Sequence, residues 1–333
     1  MVTEADLADL GIHRISVPIP FPEAGGPVNA YALEDRDGGL VMFDAGLGSP
    51  EAGAALAAGL RRIGRSARDV RRIVVSHGHV DHYGGARALV EAAGHEVPVH
   101  AHPRDIPKMA EGGPRWRDQL PAYAAHFARL GVPAEVMAEA AAEISGGMTL
   151  ARRLARVEPL DLSEPLRLRH VTLHPMHMPG HTSGLLCLHD RDHRLFLSDD
   201  HLLERVSPNP LIELRPEGEA PWRPLVAYLE SVGRLHALEV DLVLPGHAAP
   251  FGGHRRVIDD LLRFYGKRQA RIRAALQAGP RTGWEVTRAI FPAAPAKAMF
   301  LIVSEALANV EVLEARGEVV RDDAGGTWRF RLA

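Results

Sequence analysis

Directly after the apolar run Ile73-Val74-Val75, the segment SHGHVDHYGG puts His77, His79, Asp81 and His82 within six residues, where the chain turns outward before its next helix. A lone histidine in such a turn is ordinarily a solvated polar residue. A packed set of imidazoles and carboxylates at a strand end is what a metal ion needs. Zinc takes neutral imidazole nitrogen and carboxylate oxygen at about 2.0 to 2.2 Å, and ligands on one short turn converge at little entropic cost. His77 and His79 alternate and can point to one ion, while Asp81 and His82 turn toward a second.

Three later segments end strands in the same way, each beside a glycine or a tight turn: MPGHTSG supplies His181, LFLSDDHLL supplies Asp200 and LVLPGHAAP supplies His247. The chain has 18 histidines and one cysteine, Cys187, in the apolar run GLLCLH. A single thiol excludes a disulfide framework within the chain and a thiolate-rich metal cluster, so a metal has to be held by imidazole and carboxylate. His100, His102, His126, His174, His177, His189 and His236 have no matching partner in the pattern and read as ordinary histidines.

From Ile15 to Ala101, short β-branched runs alternate with Gly- and Pro-containing turns and alanine-rich helical stretches, which is α/β organisation. Roughly Pro103 to Leu154 reads as a helical insertion built on two amphipathic stretches, DQLPAYAAHFARLG and PAEVMAEAAAEI. Strand signals return at LRLRHVTLHPMHMPG, GLLCLHD and HRLFLSDD, and a helix near WRPLVAYLESVGRLHAL leads into the strand DLVLPGH. Two blocks of this grammar predict a sandwich of two sheets with helices outside.

After Gly253 the grammar changes. A long basic-studded helix runs to about Ala278. A helix comes next whose Thr282 and Glu285 fit a capping box, then a third from about Lys297 to Arg316, then two strands around the turn DAGG. Helix, helix, helix, hairpin is the order of a winged-helix module. The domain expectation is therefore 1–253 for the catalytic unit and 254–333 for a small winged-helix-like tail. A chain of 333 residues, 46% hydrophobic and 24% charged, is long enough for both. Net charge is only -3, which marks neither a polyanion binder nor a strongly acidic surface. The acidic N-terminus and the lack of an apolar run of about 20 residues predict no signal peptide, no membrane span and a cytoplasmic protein.

The chain resembles the metallo-β-lactamase superfamily. Its HxHxDH motif is matched by His77, His79, Asp81 and His82, and its three downstream ligand motifs come in order. The resemblance covers roughly residues 13 to 253 and implies an αββα sandwich with the site at one edge. It implies His77, His79 and His181 on a first metal, Asp81, His82 and His247 on a second, and Asp200 between them. At Ser198-Asp199-Asp200 the family usually has Gly then Asp. Asp-His-Leu-Leu matches the family's continuation, so Asp200 is taken as the bridge and Asp199 as the occupant of the glycine slot; with Asp199 as the bridge, the assignment shifts by one residue. Asp44 in VMFDAGLG matches an early aspartate that orients the ligand loop without binding metal. His201, next to the bridging position, is the candidate for a substrate contact.

The same resemblance implies a hydrolase with two zinc ions, iron or manganese being alternatives, that uses a metal-bridging hydroxide. Asp81 and Asp200 orient that hydroxide or accept its proton. No other nucleophile competes, since GHTSG is not a GxSxG elbow. The superfamily includes thioesterases such as glyoxalase II, lactonases, ribonucleases and β-lactamases, and its metal motif does not choose among them. The expected substrate is a small acyl compound, a thioester first and a lactone second, with the tail shaping one wall of the site or a dimer contact. The alternative is a metal-dependent ribonuclease guided by the tail. The third helix, with Glu305, Glu311 and Glu314, has the wrong sign for phosphate, whereas the first carries Arg255, Arg256, Arg263, Lys267, Arg268, Arg271 and Arg273.

Overall fold

Side chains along the central strands alternate between two separate cores, and this alternation sets the layers of the molecule. The computed structural model describes residues 3, 5–20, 26–216, 218–293, 298–323 and 325–333. The first half of the chain runs β1 (Ile12–Val17), β2 (Val28–Glu34), β3 (Leu40–Phe43), α1 (Pro50–Arg62), β4 (Val70–Val74), α2 (Val80–Tyr83), α3 (Ala86–Ala93) and β5 (Val99–Ala101). The inserted helices α4 (Ile106–Glu111), α5 (Gly113–Arg129) and α6 (Ala134–Met148) precede β6 (Glu158–Pro159), which closes a six-stranded sheet in sequence order. Pairing is antiparallel from β1 to β3 and parallel from β3 to β6.

The second half contributes β7 (Leu166–Arg167), β8 (Thr172–His177), β9 (Leu186–Asp190), β10 (Leu195–Asp199), α7 (Pro224–His236) and β11 (Leu242–Pro245). They form a five-stranded sheet, β11-β10-β9-β8-β7, parallel only between β10 and β11. Tyr31, Leu33, Val41 and Phe43 of the first sheet meet Leu186, Leu188, Leu195 and Leu197 of the second in an inner core. The intervening residues Ala30, Ala32, Leu40 and Met42 face α1 and α3, while Cys187 and Phe196 face α7. Side chains of successive strand residues point to opposite faces. With both faces covered, these strands read as unbroken apolar runs rather than alternating ones. The result is the four-layered αββα arrangement expected from the sequence.

Local signals hold up at the helix ends. Ser49 caps α1 by accepting from Ala52 N at 3.1 Å, with Pro50 in the first turn. The insertion has three helices where the amphipathic spacing predicts two. Gly112, at φ 59°, breaks α4 from α5, and a Cβ there would come within 2.7 Å of Ala151 O.

The tail runs α8 (His254–Leu276), β12 (Arg281–Thr282), α9 (Gly283–Ile290), α10 (Met299–Ala315), β13 (Val319–Asp322) and β14 (Arg329–Leu332). Its strands make a small antiparallel sheet ordered β12-β14-β13. Thr282 and Glu285 form the capping box at α9. The expected start of the third helix, Lys297, lies outside the described residues. The tail shares its core with the insertion: Tyr123, Phe127 and Leu130 pack with Val286, Phe300 and Leu307. Trp284 and Trp328 donate their backbone N–H to Leu130 O and Arg129 O, at 2.8 and 2.6 Å. Among the described residues no helix is long and apolar enough to cross a membrane.

Candidate metal centre

Every residue singled out as a ligand sits just past a strand or on the turn after one. His77 and His79 come after β4, His181 after β8, Asp200 after β10 and His247 after β11; Asp81 and His82 lie on the short α2. The two sheets are tied together at this edge. Leu186 N donates to Ser76 O at 2.8 Å, Asn29 N to Gly246 O at 2.7 Å and Tyr31 Oη to Pro245 O at 2.7 Å. Gly246 is required by close approach, because a Cβ there would lie 2.4 Å from Asp200 Oδ1.

The predicted ligands converge into overlapping groups whose donor atoms all lie within 4.8 Å of one another: His77, His79 and His181; His77, His82 and Asp200; Asp81, His82 and His247. His77 Nε2 is 3.0 Å from His79 Nδ1. Asp200 Oδ2 is 3.4 Å from His181 Nε2 and 3.5 Å from His82 Nε2, and its Oδ1 is 3.5 Å from His247 Nε2. Asp81 Oδ2 lies 3.5 Å from His247 Nε2 and 3.8 Å from His82 Nε2.

Four of the five rings are oriented from behind. His181 Nδ1 donates to Asn209 O at 3.0 Å and His247 Nδ1 to Gly26 O at 3.2 Å. His82 Nδ1 lies 3.0 Å from Asp44 Oδ2 and 3.3 Å from Asp199 Oδ1, and His77 Nδ1 lies 3.1 Å from Asp199 Oδ1. Asp44 also accepts from Ser76 N at 2.7 Å and Ser76 Oγ at 2.8 Å. This leaves His82 Nε2, His181 Nε2 and Asp200 Oδ1 buried with no hydrogen-bond partner. Buried polar atoms are ordinarily satisfied. Several unsatisfied imidazole nitrogens and a carboxylate oxygen facing one another fit a divalent cation, whose imidazole ligands are oriented by carboxylates and carbonyls from behind.

The electrostatics divide the rings: burial alone would lower His82 and His247, but Asp199 and Asp200 raise the first well above the usual histidine range and Asp200 raises the second to about 9. Burial, reinforced by His181 and His77, holds His79 well below the usual histidine range, and burial brings His181 down to about 4. Both rings are therefore in the neutral, ligating form. Burial alone would raise Asp200, but His247 and His82 outweigh it and keep the carboxylate ionised. Three non-glycine residues here adopt left-handed backbone: Asp44 at φ 64°, Asp199 at φ 49° and Ala248 at φ 65°. Such strain persists where surrounding structure over-determines it.

These findings fit one family, whose model, described as the metallo-beta-lactamase superfamily, matches residues 24–247. The chain belongs to the metallo-beta-lactamase superfamily. Superfamily membership and the His/Asp groups together support a divalent metal cofactor. The chain is 28% identical to the "Probable metallo-hydrolase YqjP" of Bacillus subtilis, over 95% of this chain and 97% of that protein. It is 29% identical to the acyl-coenzyme A thioesterase MBLAC2 of Gallus gallus, over 71% and 77% of the two chains. A metallo-beta-lactamase family protein from Thermus thermophilus superposes with a TM-score of 0.80 at 27% identity, covering 97% of this chain and 99% of that one. Similarity of that extent includes the tail as well as the sandwich.

His201 does not join the cluster. It has no exposed surface, and its ring packs against Tyr228 at 5.1 Å between centroids. Contact with a substrate would require it to leave that packing.

The sequence reading missed a charged network behind the site. Fully buried Asp105 accepts from Gly78 N at 2.9 Å and Thr182 Oγ1 at 2.7 Å, tying the His77–His79 turn to the His181 turn. Lys108 Nζ is bonded to Asp105 at 2.8 Å and to Glu213 at 2.9 Å, and Glu213 accepts from Ser183 Oγ at 2.6 Å. Burial alone would raise Asp105, but Lys108 holds it at about 2. A Cβ on Gly78 would lie 2.5 Å from Lys108 Cδ, so a side chain there would displace Lys108 from its present course.

Proposed function

We propose that this chain is a hydrolase of small acyl compounds, thioesters first and lactones second. In this reading it works with two divalent ions, zinc with iron or manganese as alternatives. The observation that carries the reading is the placement of Asp200. Its Oδ2 faces His181 of the first group and His82 of the second, and its Oδ1 faces His247 of the second, so this one carboxylate is within reach of both groups of ligands. His77, His79 and His181 would hold the first ion, and Asp81, His82 and His247 the second. Ions held in this way supply Lewis acidity toward a carbonyl oxygen and bring the pKa of water toward about 7.

The chain's own residues do the rest. Asp44 and Asp199 fix the rings of His82 and His77, Asn209 O fixes His181, and Gly26 O fixes His247. Asp81, with 13% of its side chain exposed, is placed to orient an incoming water and take its proton, and Asp200 shares that task. A small acyl substrate is supported by the similarity to an acyl-coenzyme A thioesterase. Five of the seven basic side chains of α8 are engaged: Arg255, Arg256, Arg263, Arg268 and Arg273 pair with Glu239, Asp260, Asp260, Glu305 and Glu318. A strip engaged with carboxylates is a poor phosphate track, which favours a structural role for the winged-helix-like tail over RNA guidance.

The deciding experiment is turnover of a thioester and lactone panel beside a labelled single-stranded RNA, using the metal-replete chain and its Asp200→Ala variant. Thioester cleavage that disappears in the variant is the expected result. Cleavage of RNA with inert thioesters would overturn the acyl reading.

A further inference from the structure

A second cleft, of about 340 Å3, lies between α10, residues 212–216 and 218–224, and the C-terminal hairpin, and none of the ligand-cluster residues lines it. Leu214, Leu307 and Trp328 give it apolar walls. Two donors set into those walls lack an acceptor, while the carboxylates of Glu213 and Glu219 line the cleft beside them. Arg215 has 12% of its side chain exposed, and its nearest carboxylate oxygen, on Glu213, is 3.7 Å from Nη1. Its Nη2 is buried with no partner. The guanidinium lies 5.2 Å from the ring centre of Trp222, whose Nε1 is also buried without an acceptor. Glu311 is 8% exposed, and burial pushes its carboxyl up to about 8, so at neutral pH it carries a proton to donate. Arg321 adds a further positive charge, although it is held by Glu314 through Nε and Nη2 at 3.0 and 2.6 Å.

A buried donor left without an acceptor costs about 1 to 3 kcal/mol. Here two such donors and a protonated acid belong to one cleft with apolar walls. We propose that this cleft is a binding site for a small organic carboxylate with an apolar body. A carboxylate can accept two parallel hydrogen bonds from a guanidinium, and an indole N–H and a protonated acid on the same walls are further donors it could use. The apolar body then packs on Leu307 and Trp328. The volume is at the low end for a ligand pocket, which suits a single ring or a medium-length chain.

This inference does not rest on the acyl-hydrolase reading, since the cleft and the ligand cluster share no residue. The two places are nevertheless connected. The 209–215 segment that walls the cleft also holds His181 through Asn209 O and Ser183 through Glu213. Binding therefore has to be measured both with and without metal.

The test is calorimetric titration of the metal-loaded chain and of the chelator-stripped chain with benzoate, octanoate and benzylamine. One carboxylate should bind per chain in both forms, and the amine should not. Trp222→Phe, which deletes one N–H and keeps an aromatic ring, should weaken carboxylate binding about tenfold, and Arg215→Gln about ten- to a hundredfold. Binding that vanishes with the metal and ignores Trp222→Phe would place the carboxylate on the metal and overturn the proposal. A preference for benzylamine, or no binding at millimolar concentration, would overturn it too. Trp222→Phe alone decides the matter if Arg215→Gln does not fold.

Discussion

Asp199 Oδ1 lies 3.1 Å from His77 Nδ1, and the same oxygen is 3.3 Å from His82 Nδ1, so one buried carboxylate stands behind two imidazoles of the ligand cluster. The backbone of Asp199 is left-handed, at φ 49°, a conformation that glycine adopts without strain, in keeping with the glycine that the superfamily resemblance implies for this slot. Here the strain is accepted and a carboxylate is gained. Burial alone would raise Asp199, but His82 and His77 hold it well below the ordinary range. A carboxylate behind a ligating imidazole raises its basicity and fixes its ring.

Asp199→Asn tests that role, because asparagine tolerates the same backbone but carries no charge. The variant should fold and should bind metal about ten- to a hundredfold more weakly, read by competition with a chromophoric chelator. Unchanged affinity would reduce Asp199 to a space-filling residue.

Asp105 joins the two turns that carry His77, His79 and His181, and it is one of two carboxylates around buried Lys108. Asp105→Ala leaves Lys108 with Glu213 alone and strips Gly78 N and Thr182 Oγ1 of their acceptor, which should cost about 1 to 3 kcal/mol in denaturant unfolding. Pairing it with Lys108→Met takes the cation away from Glu213 as well, so the double variant should recover only part of that stability. The lost tie from Gly78 to Thr182 should remain visible as weakened metal affinity in the double variant. Full recovery of both properties would show that Asp105 serves the lysine alone.

The difference between what was legible and what was not is one of sequence distance. Four ligands crowd one turn and three more end apolar strands, and strand ends at one sheet edge meet whatever else the chain does. Asp105, Lys108 and Glu213 come from a loop, a helix and a later segment, and nothing in their spacing draws them together. The amphipathic pattern of α5 shows that Tyr123 and Phe127 are buried, but not that Phe300 and Val286 of the tail bury them. His201 is adjacent to Asp200 in the chain, yet its ring packs toward Tyr228. Adjacency in sequence does not carry direction.

Glu311 gives the stability of the chain a pH dependence with a definite sign. Its folded-state pKa of about 8 lies above the ordinary 4.5 because burial disfavours the charged form. The folded chain therefore holds a proton that the unfolded chain has released between those values, and stability falls as pH rises through that window. Each tenfold difference in proton affinity between the folded and unfolded chain is worth roughly 1.4 kcal/mol. Glu311→Gln should flatten this part of the stability-against-pH curve and be more stable than the parent above about pH 8. A parallel curve for the variant would mean that Glu311 is ionised in the folded chain.

Asp200 faces both groups of ligands, so it should govern how many ions the chain retains as well as how fast it turns over. Elemental analysis after gel filtration should find two divalent ions on the parent chain and no more than one on Asp200→Ala. A ligand that binds only the folded state stabilises it by about 4 kcal/mol when present at a thousand times its dissociation constant. Chelation should therefore lower the thermal midpoint of the parent markedly, and re-addition of metal should restore it. The same treatment should move Asp200→Ala much less, since the carboxylate between His181, His82 and His247 is missing before the metal is removed. Equal shifts and equal metal content in the two proteins would show that Asp200 does not join the two ions, and Asp81 would then be the carboxylate to replace next.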